Sequence, residues 1–370
     1  MRSHRNTTIL SDGKNWALSP SFTRCQVKTI AVALWRSLDR VPQEEEPESW
    51  LQRAINHPAG KLAEFWLHSL SLWRQQQEPK PKSLDESYRS VLTEAVDDST
   101  TVGCLAKSVI ASQFAFLMSA DSAWAIEHLI PLFSGERGAA DFQAVWDGFL
   151  YGSRLTPAVA ERLEPSFLIA AGRVETELLA CNDRFVEMYT SFLVHYAGDV
   201  VTKWIPALLK SGSEKTRGHF AWSVEAFLRT MDAAAQLNLW QRWLKEYWGN
   251  RVLGVPTPLA QREVESMLGW LPHLSTLFGD AVDIAIRMPA VPLKHSSLIH
   301  ELAESNLPLK YSEATARLLL YLGKSDTPAY IWQRGAGLIS KLLSTRLPEN
   351  LALGLRELAA RFGLALDTSD

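Results

Sequence analysis

Apolar residues in this chain recur at intervals of three and four and almost nowhere alternate, and that period separates helix from strand before any other property enters. Between positions 185 and 196, Phe185, Met188, Phe192, Leu193 and Tyr196 keep to one face of a 3.6-residue turn. Trp240, Trp243, Leu244 and Tyr247 do the same, with Arg242, Lys245 and Glu246 on the other side. Leu351, Leu353, Leu355, Leu358 and Phe362 mark a last amphipathic helix entered after Pro348. No run of alternating β-branched residues is bounded by an Asn-Gly or Asp-Gly hairpin turn. The expected class is all-α.

Turn chemistry punctuates the helices. Pro42 to Pro47 is a polar, proline-bounded loop, and Ser49 is placed to cap a helix beginning at Trp50. Pro58 stands where a helix would start, since its missing N–H has no intrahelical partner there in any case. The run from Gln75 to Lys82 is the most linker-like, and Gly249 to Pro258 predicts a second long loop. The organisation read from these breaks is a polar tail over 1–15, an N-terminal helical group over 16–74, a linker-like loop over 75–83 and a helical-repeat array over 84–370.

A weak internal repeat supports the array. Pro131 and Pro206 stand 75 residues apart, and the phenylalanines after them, Phe142 with Phe220 and Phe149 with Phe227, stand 78 apart. Pro272 opens a third Leu-Pro turn 66 residues beyond Pro206. Each interval holds two helix pairs of the size used by α-solenoids, whose units bury their apolar face only by stacking. The fold expected is therefore an α-solenoid of stacked antiparallel helix pairs, a HEAT/TPR-like superhelix. At 370 residues a single compact core would be near its upper size, which also favours an elongated array. Fourteen tryptophans spread from Trp16 to Trp332 suit many similar seams. Trp66, Trp146, Phe149, Phe192, Trp222, Phe227 and Trp243 are expected at those seams.

Charge and cysteine usage narrow the function classes. Thirty-eight basic against 41 acidic residues give no broad electrostatic reason to bind nucleic acid or an anionic membrane. Three dispersed cysteines, Cys25, Cys104 and Cys181, fit neither a disulfide framework nor a zinc site. The polar start, Met1 to Lys14, lacks the apolar region of a secretory signal, and no stretch approaches 18 uncharged apolar residues. A cytoplasmic location is expected.

The search for catalytic chemistry finds little. Lys215-Thr216 after Gly212 resembles the end of a phosphate-binding loop, but Glu214 occupies the position of the required glycine. Gly135-Glu136-Arg137-Gly138 has the spacing of a KH-domain clamp without flanking strands. His295 and His300 fall on different helix faces, and His57 with His68 is no better placed for a metal. Glu44 to Glu46 and Asp97-Asp98 read as solvated loops. No motif names a nucleophile, so the expectation is a non-enzyme with no cofactor and no metal. The aromatic stretch from Trp240 to Trp248 reads first as core, with Trp248 off the centre of its stripe beside a Gly/Pro-rich loop.

Two stretches carry a family resemblance. Ala54-Ile55-Asn56-His57-Pro58-Ala59-Gly60-Lys61, leading into Glu64-Phe65-Trp66-Leu67, is similar to an uncharacterised bacterial domain at the C-terminal end of sirtuin-like proteins suspected of anti-phage defence. Trp240 to Leu271, with its Trp-Leu and Leu-Pro punctuation, adds to it. The nucleotide-binding unit of such proteins would need a Gly-x-Gly-x-x-Gly after a strand, and this chain has none. The resemblance therefore implies the sensor or scaffold half of a defence system.

These readings converge on a non-catalytic protein-interaction scaffold or sensor module that binds a phage protein or an effector partner. A nucleic-acid-binding helical repeat and an enzyme whose site assembles from distant residues stand as alternatives. The loops after the equivalent prolines put Glu136, Arg137, Lys215 and Arg217 forward as partner contacts on one edge, and the aromatic stretch adds Arg242 and Trp248.

Overall fold

The computed structural model describes residues 24–40 and 49–366, and none of these lies in a strand. The helices begin where local chemistry says they should. Ser49, Asp85, Asp121, Thr156, Ser213 and Asp232 each precede a helix and accept a hydrogen bond from an amide of its first turn. Each cap satisfies a donor that the helix itself leaves unpaired. Pro58 opens the Pro58–Gln75 helix, with the His57 ring accepting from the Ala59 amide.

The three Leu/Ile-Pro turns share one local feature. Pro131, Pro206 and Pro272 each sit in the first turn of a short helical segment, Ile130–Phe133, Ile205–Ser211 and Leu271–His273. A fourth of the same kind, Pro308 in Leu307–Lys310, went unnoticed in the sequence.

Packing runs between near neighbours. Thr101–Ser112 lies between Pro58–Gln75 and Ala139–Gly152, while Glu214–Thr230 lies between Asn182–His195 and Gln261–Leu268. Ser312–Leu322 lies between Phe278–Ala285 and Glu349–Arg361. Polar bonds across these seams join partners 34 to 41 residues apart: Ala115 to Ser153, Lys203 to Glu164, Tyr196 to Leu155, Leu293 to Thr327 and Arg361 to Gly323. Other contacts depart from this spacing: Arg36 bonds Glu94, 58 residues on, and the Trp270 indole bonds the Ala221 carbonyl, 49 residues back. Trp50–Asn56 packs on both Thr101–Ser112 and Ala139–Gly152, with Ser49 bonded to Asp147, 98 residues on.

One contiguous core follows the seams. Trp146 is a centre of it, ringed edge-on by Phe133, Phe149, Phe167 and Phe185 at 5.2–5.8 Å between centroids. Trp66, Phe149, Phe192 and Trp243 are buried as expected, and Phe227 is partly buried. Trp222 is not at a seam. It is 48% exposed, because Glu214–Thr230 turns Phe220, Ala221, Val224 and Leu228 inward. Leu353 likewise points out while Leu351, Leu355 and Leu358 point in.

Residues 76–83 lie in a loop after the Pro58–Gln75 helix, which takes in Gln75 itself. Both of its flanks are tied to one turn: Arg74 donates to the Ala120 carbonyl at 2.7 Å, and the Leu84 amide to Asp121 at 3.0 Å. Among the described residues no single helix is long and apolar enough to cross a membrane. Thr101–Ser112 with Phe114–Ala120 meets that test only as a pair bent by 74°. The Pro42 to Pro47 loop and the 1–15 tail lie outside the described residues.

Candidate functional site

A cleft of mixed polar and apolar lining lies between Trp50–Asn56, Ala139–Gly152 and the turn that leads into Asn182–His195. It encloses about 630 Å³ and adjoins a smaller recess of about 200 Å³. Asp147 projects from Ala139–Gly152 into its wall, where the Ser49 hydroxyl and the Leu51 amide both donate to it at 2.8 Å. That carboxylate is therefore spent on fixing the entry to the preceding helix. Cys181 faces the same wall, and burial, then the Asp147 charge, push its thiol up to about 12. A thiol held that high stays protonated near neutrality and is a poor nucleophile.

The rim shared with the smaller recess carries several exposed side chains. The Arg184 guanidinium lies 3.5 Å from the centre of the Tyr151 ring, a cation–π arrangement that holds its donors in place. Lys215 reaches over from the next helix pair to Asp183 at 3.2 Å. Leu179, at the tip of the turn between Pro157–Gly172 and Asn182–His195, is 64% exposed, and Tyr151 38%. Tyr151, Leu179 and Arg184 were not singled out from sequence. The signal was faint: a leucine and an arginine flanking a short Ala-Cys-Asn-Asp turn.

The residues chosen from sequence are scattered over different seams. Arg137 pairs with Asp97 at 2.7 Å, and Glu136 accepts from the Ser134 hydroxyl, so both stay at the surface of the Gly135–Gly138 turn. Lys215 borders the cleft. Arg217 does not offer a free charge: its side chain is 13% exposed, donates to the Gly212 carbonyl at 2.9 Å and lies 3.4 Å from buried Glu263. Arg242 donates to the Leu193 and Val194 carbonyls at the end of Asn182–His195, and burial lowers its pKa from the ordinary value. Trp248 is fully buried, its indole N–H 3.3 Å from the Met288 sulfur and its ring 4.9 Å from that of Trp270. Trp248 is thus corrected to a buried structural position, while Arg217 is partly buried and Arg242 exposed, each bonded to backbone carbonyls nearby.

Sequence reading also missed two buried ionic clusters. Arg251 and Glu263 are both fully buried and joined by two bonds of 2.5 and 2.9 Å. Burial alone would lower the Arg251 pKa, but the bonds and charge of Glu263 outweigh it and raise it. The rest of the guanidinium donates to the Val255 and Thr257 carbonyls at 2.7 Å, which braces the loop around Gly254. Burial and the Glu263 charge also push the Tyr247 phenol well above its usual value. The second cluster joins Lys107 to Asp141, with the Lys107 ammonium 2.7 Å from the Asp98 carbonyl and the Cys104 thiol donating to Asp141. Burial pushes that thiol up to about 12. The two cations are paired within their own clusters, while the Tyr247 hydroxyl and Arg217 Nε beside the first are buried without a hydrogen-bond partner.

The remaining sequence motifs resolve as local structure. Gly212 and Lys215 flank Ser213, the cap of Glu214–Thr230, and Thr216 is buried against Asn182 and Glu175. Among the described residues no three His, Cys, Asp or Glu side chains are grouped to hold a metal ion. No curated protein and no solved structure matches this chain. A family model described as a domain of unknown function, DUF4020, matches residues 192–351, a span that contains the Arg251–Glu263 brace and leaves most of the cleft outside it.

Proposed function

We propose that the helices form an α-solenoid of stacked antiparallel pairs, HEAT/TPR-like, that works as a non-catalytic protein-interaction scaffold or sensor. The observation that carries this reading is the recurrence of cross-seam bonds between partners 34–41 residues apart, which is the spacing of one helix pair. On this reading the turns along one edge meet the partner, and the contact surface is the cleft rim of Tyr151, Leu179, Arg184 and Lys215. Tyr151 with the stacked Arg184 offers the tyrosine and arginine enriched at interface hot spots, and exposed Leu179 adds apolar area beside them. The setting we propose is the one the sequence resemblance implies, bacterial anti-phage defence, with a phage protein or an effector polypeptide as partner. The near balance of charge supports a protein over a nucleic acid.

The test is cross-linking from Lys215 in lysates of phage-infected cells, comparing the native chain with Leu179→Asp and Arg184→Glu. A single polypeptide cross-linked to the native chain, and lost with both variants while the melting temperature holds, is the expected result. Cross-links that persist in both variants, or capture of nucleic acid alone that vanishes between low and physiological salt, would overturn the assignment.

A further inference from the structure

Asn182–His195, Glu214–Thr230 and Gln261–Leu268 lie side by side as a layer of parallel helices. Lys215 meets Asp183 and His219 meets Glu187 at one and the same sequence offset. Gly218 stands against the Arg262 stem, and Gly269 against Glu225, again at a shared offset. Equal offsets along a pair of helices mean that they run the same way and in register. On the outward side of the middle helix, Lys215, His219 and Trp222 follow one another at helical intervals.

Trp222 is the unusual member of this face. It is 48% exposed, whereas every other tryptophan among the described residues is buried or half-buried. Its ring stacks on the His219 imidazole, 5.1 Å between centroids and 22° between planes. His219 is held in turn by the Asp183 carbonyl at 3.1 Å and the Glu187 carboxylate at 3.3 Å. A large aromatic surface is thus left in water while braced from one side. Bracing lowers the ordering cost of a contact, and tryptophan is among the residues most enriched at interface hot spots.

The charges around Trp222 are unevenly paired. Lys215 has Asp183, and His219 has Glu187. Arg184, stacked on Tyr151, and Arg262, whose stem crosses Gly218, have no carboxylate paired to them among the described residues. Glu214 lies in the first turn of the middle helix, where the helix's own N-terminus favours a negative charge. The two arginines stand on the helices that flank the one carrying Trp222. Packed helix axes are roughly 8–10 Å apart, so about 16–20 Å separates them, the reach of roughly five or six extended residues. An aromatic plate between two unpaired guanidinium groups selects for a chain with an apolar residue between two acids. Asp183, Glu187 and Glu214, interleaved with the cations, repel a strand charged at every nucleotide but spare a peptide that carries only two acids.

We propose that this face binds an acidic segment of a partner protein, extended across the three helices, with an apolar side chain on Trp222 and carboxylates at Arg184 and Arg262. The proposal rests on the reading of the cleft rim as a protein-contact surface, since Arg184 belongs to both. The test is selection of random dodecapeptides, displayed on filamentous phage, on the immobilised full chain. The enriched peptide is then resynthesised and titrated by fluorescence anisotropy. Enrichment of two acids about five or six positions apart, with an apolar residue between them, is expected. Trp222→Ser should weaken that peptide by about tenfold or more, the loss typical of a hot spot, and Arg262→Glu should do the same. The melting temperature should hold in both variants. Peptides that bind the native chain and Trp222→Ser alike but are lost with Leu179→Asp would overturn this surface and leave the rim reading standing. No enrichment, enriched peptides without acids, or tighter binding of a labelled oligothymidylate than of any peptide would also overturn it.

Discussion

Asp121 shows how much one side chain can hold in this protein. It accepts from the Trp124 and Leu84 amides and pairs with Arg89. Burial would raise its pKa, but those amide bonds and the Arg89 charge outweigh it and hold the carboxyl below the usual range. A carboxyl with a lowered folded-state pKa stabilises above the unfolded value, and the contribution is lost as pH falls through the folded one. Asp121→Asn should therefore lower the melting temperature at neutral pH, and the gap to the native chain should narrow between about pH 5 and pH 2. A gap that stayed constant would show that the carboxylate charge plays no part. Arg251 sets a larger cost. Arg251→Met leaves buried Glu263 with only Arg217, at 3.4 Å, and breaking such a buried pair costs up to about 3–5 kcal/mol by chemical denaturation. Adding Glu263→Leu should restore only part of the loss, because the Val255 and Thr257 carbonyls remain without their donor. Neither residue was legible in the sequence. A charged pair 12 apart across a Gly/Pro loop looks the same whether it is hydrated or buried, and burial is decided by elements distant in the chain. Trp248 failed for the converse reason: its distance from the stripe centre was read as exposure, although a second neighbour, Trp270, covers that side.

At the scale of helices, period and caps carried most of the information. Ser49 and Pro58 stand where their chemistry puts them, and Pro131, Pro206 and Pro272 each open a short helical segment. What periodicity could not give is how closely two helices approach. Ala139–Gly152 crosses Thr101–Ser112 at Gly148, where a Cβ would stand 1.8 Å from the Ser108 carbonyl oxygen. In an open helix, alanine in place of glycine gains up to about 1 kcal/mol. Here the obstacle is rigid backbone, so Gly148→Ala must push the helices apart, and overpacking of this kind costs about 1–3 kcal/mol. Gly337, with nothing near its Cβ position, is the control: Gly337→Ala should raise the melting temperature slightly while Gly148→Ala lowers it. A neutral Gly148→Ala would mean that the crossing is looser than these distances describe. Trp222 belongs to the same lesson, since an aromatic residue on a helix reads as core until the neighbouring helix fixes which face is covered.

For the whole molecule, bonds between near neighbours predict graded stability. Removing the helix Glu349–Arg361 uncovers Ser312–Leu322 and Ala336–Leu343, its packing partners. In a stacked array that loss should weaken amide-exchange protection in those helices and leave it intact around Lys107 and Asp141. Uniform loss of protection along the chain would instead mark a single cooperative unit. The all-helical class was legible because it depends on local period alone. The cleft was not, because it is assembled from segments that meet only after folding, as Ser49 does with Asp147. The turn at Ala120 and Asp121 has one further consequence. Because it grips the chain on both sides of the 75–83 loop, through Arg74 before it and Leu84 and Arg89 after it, covalent continuity across that loop adds little to the assembly. A protease cut between Lys80 and Lys82 would leave two pieces that remain together, so this protein could be made as separate halves that find each other, with the first helical group as a detachable part.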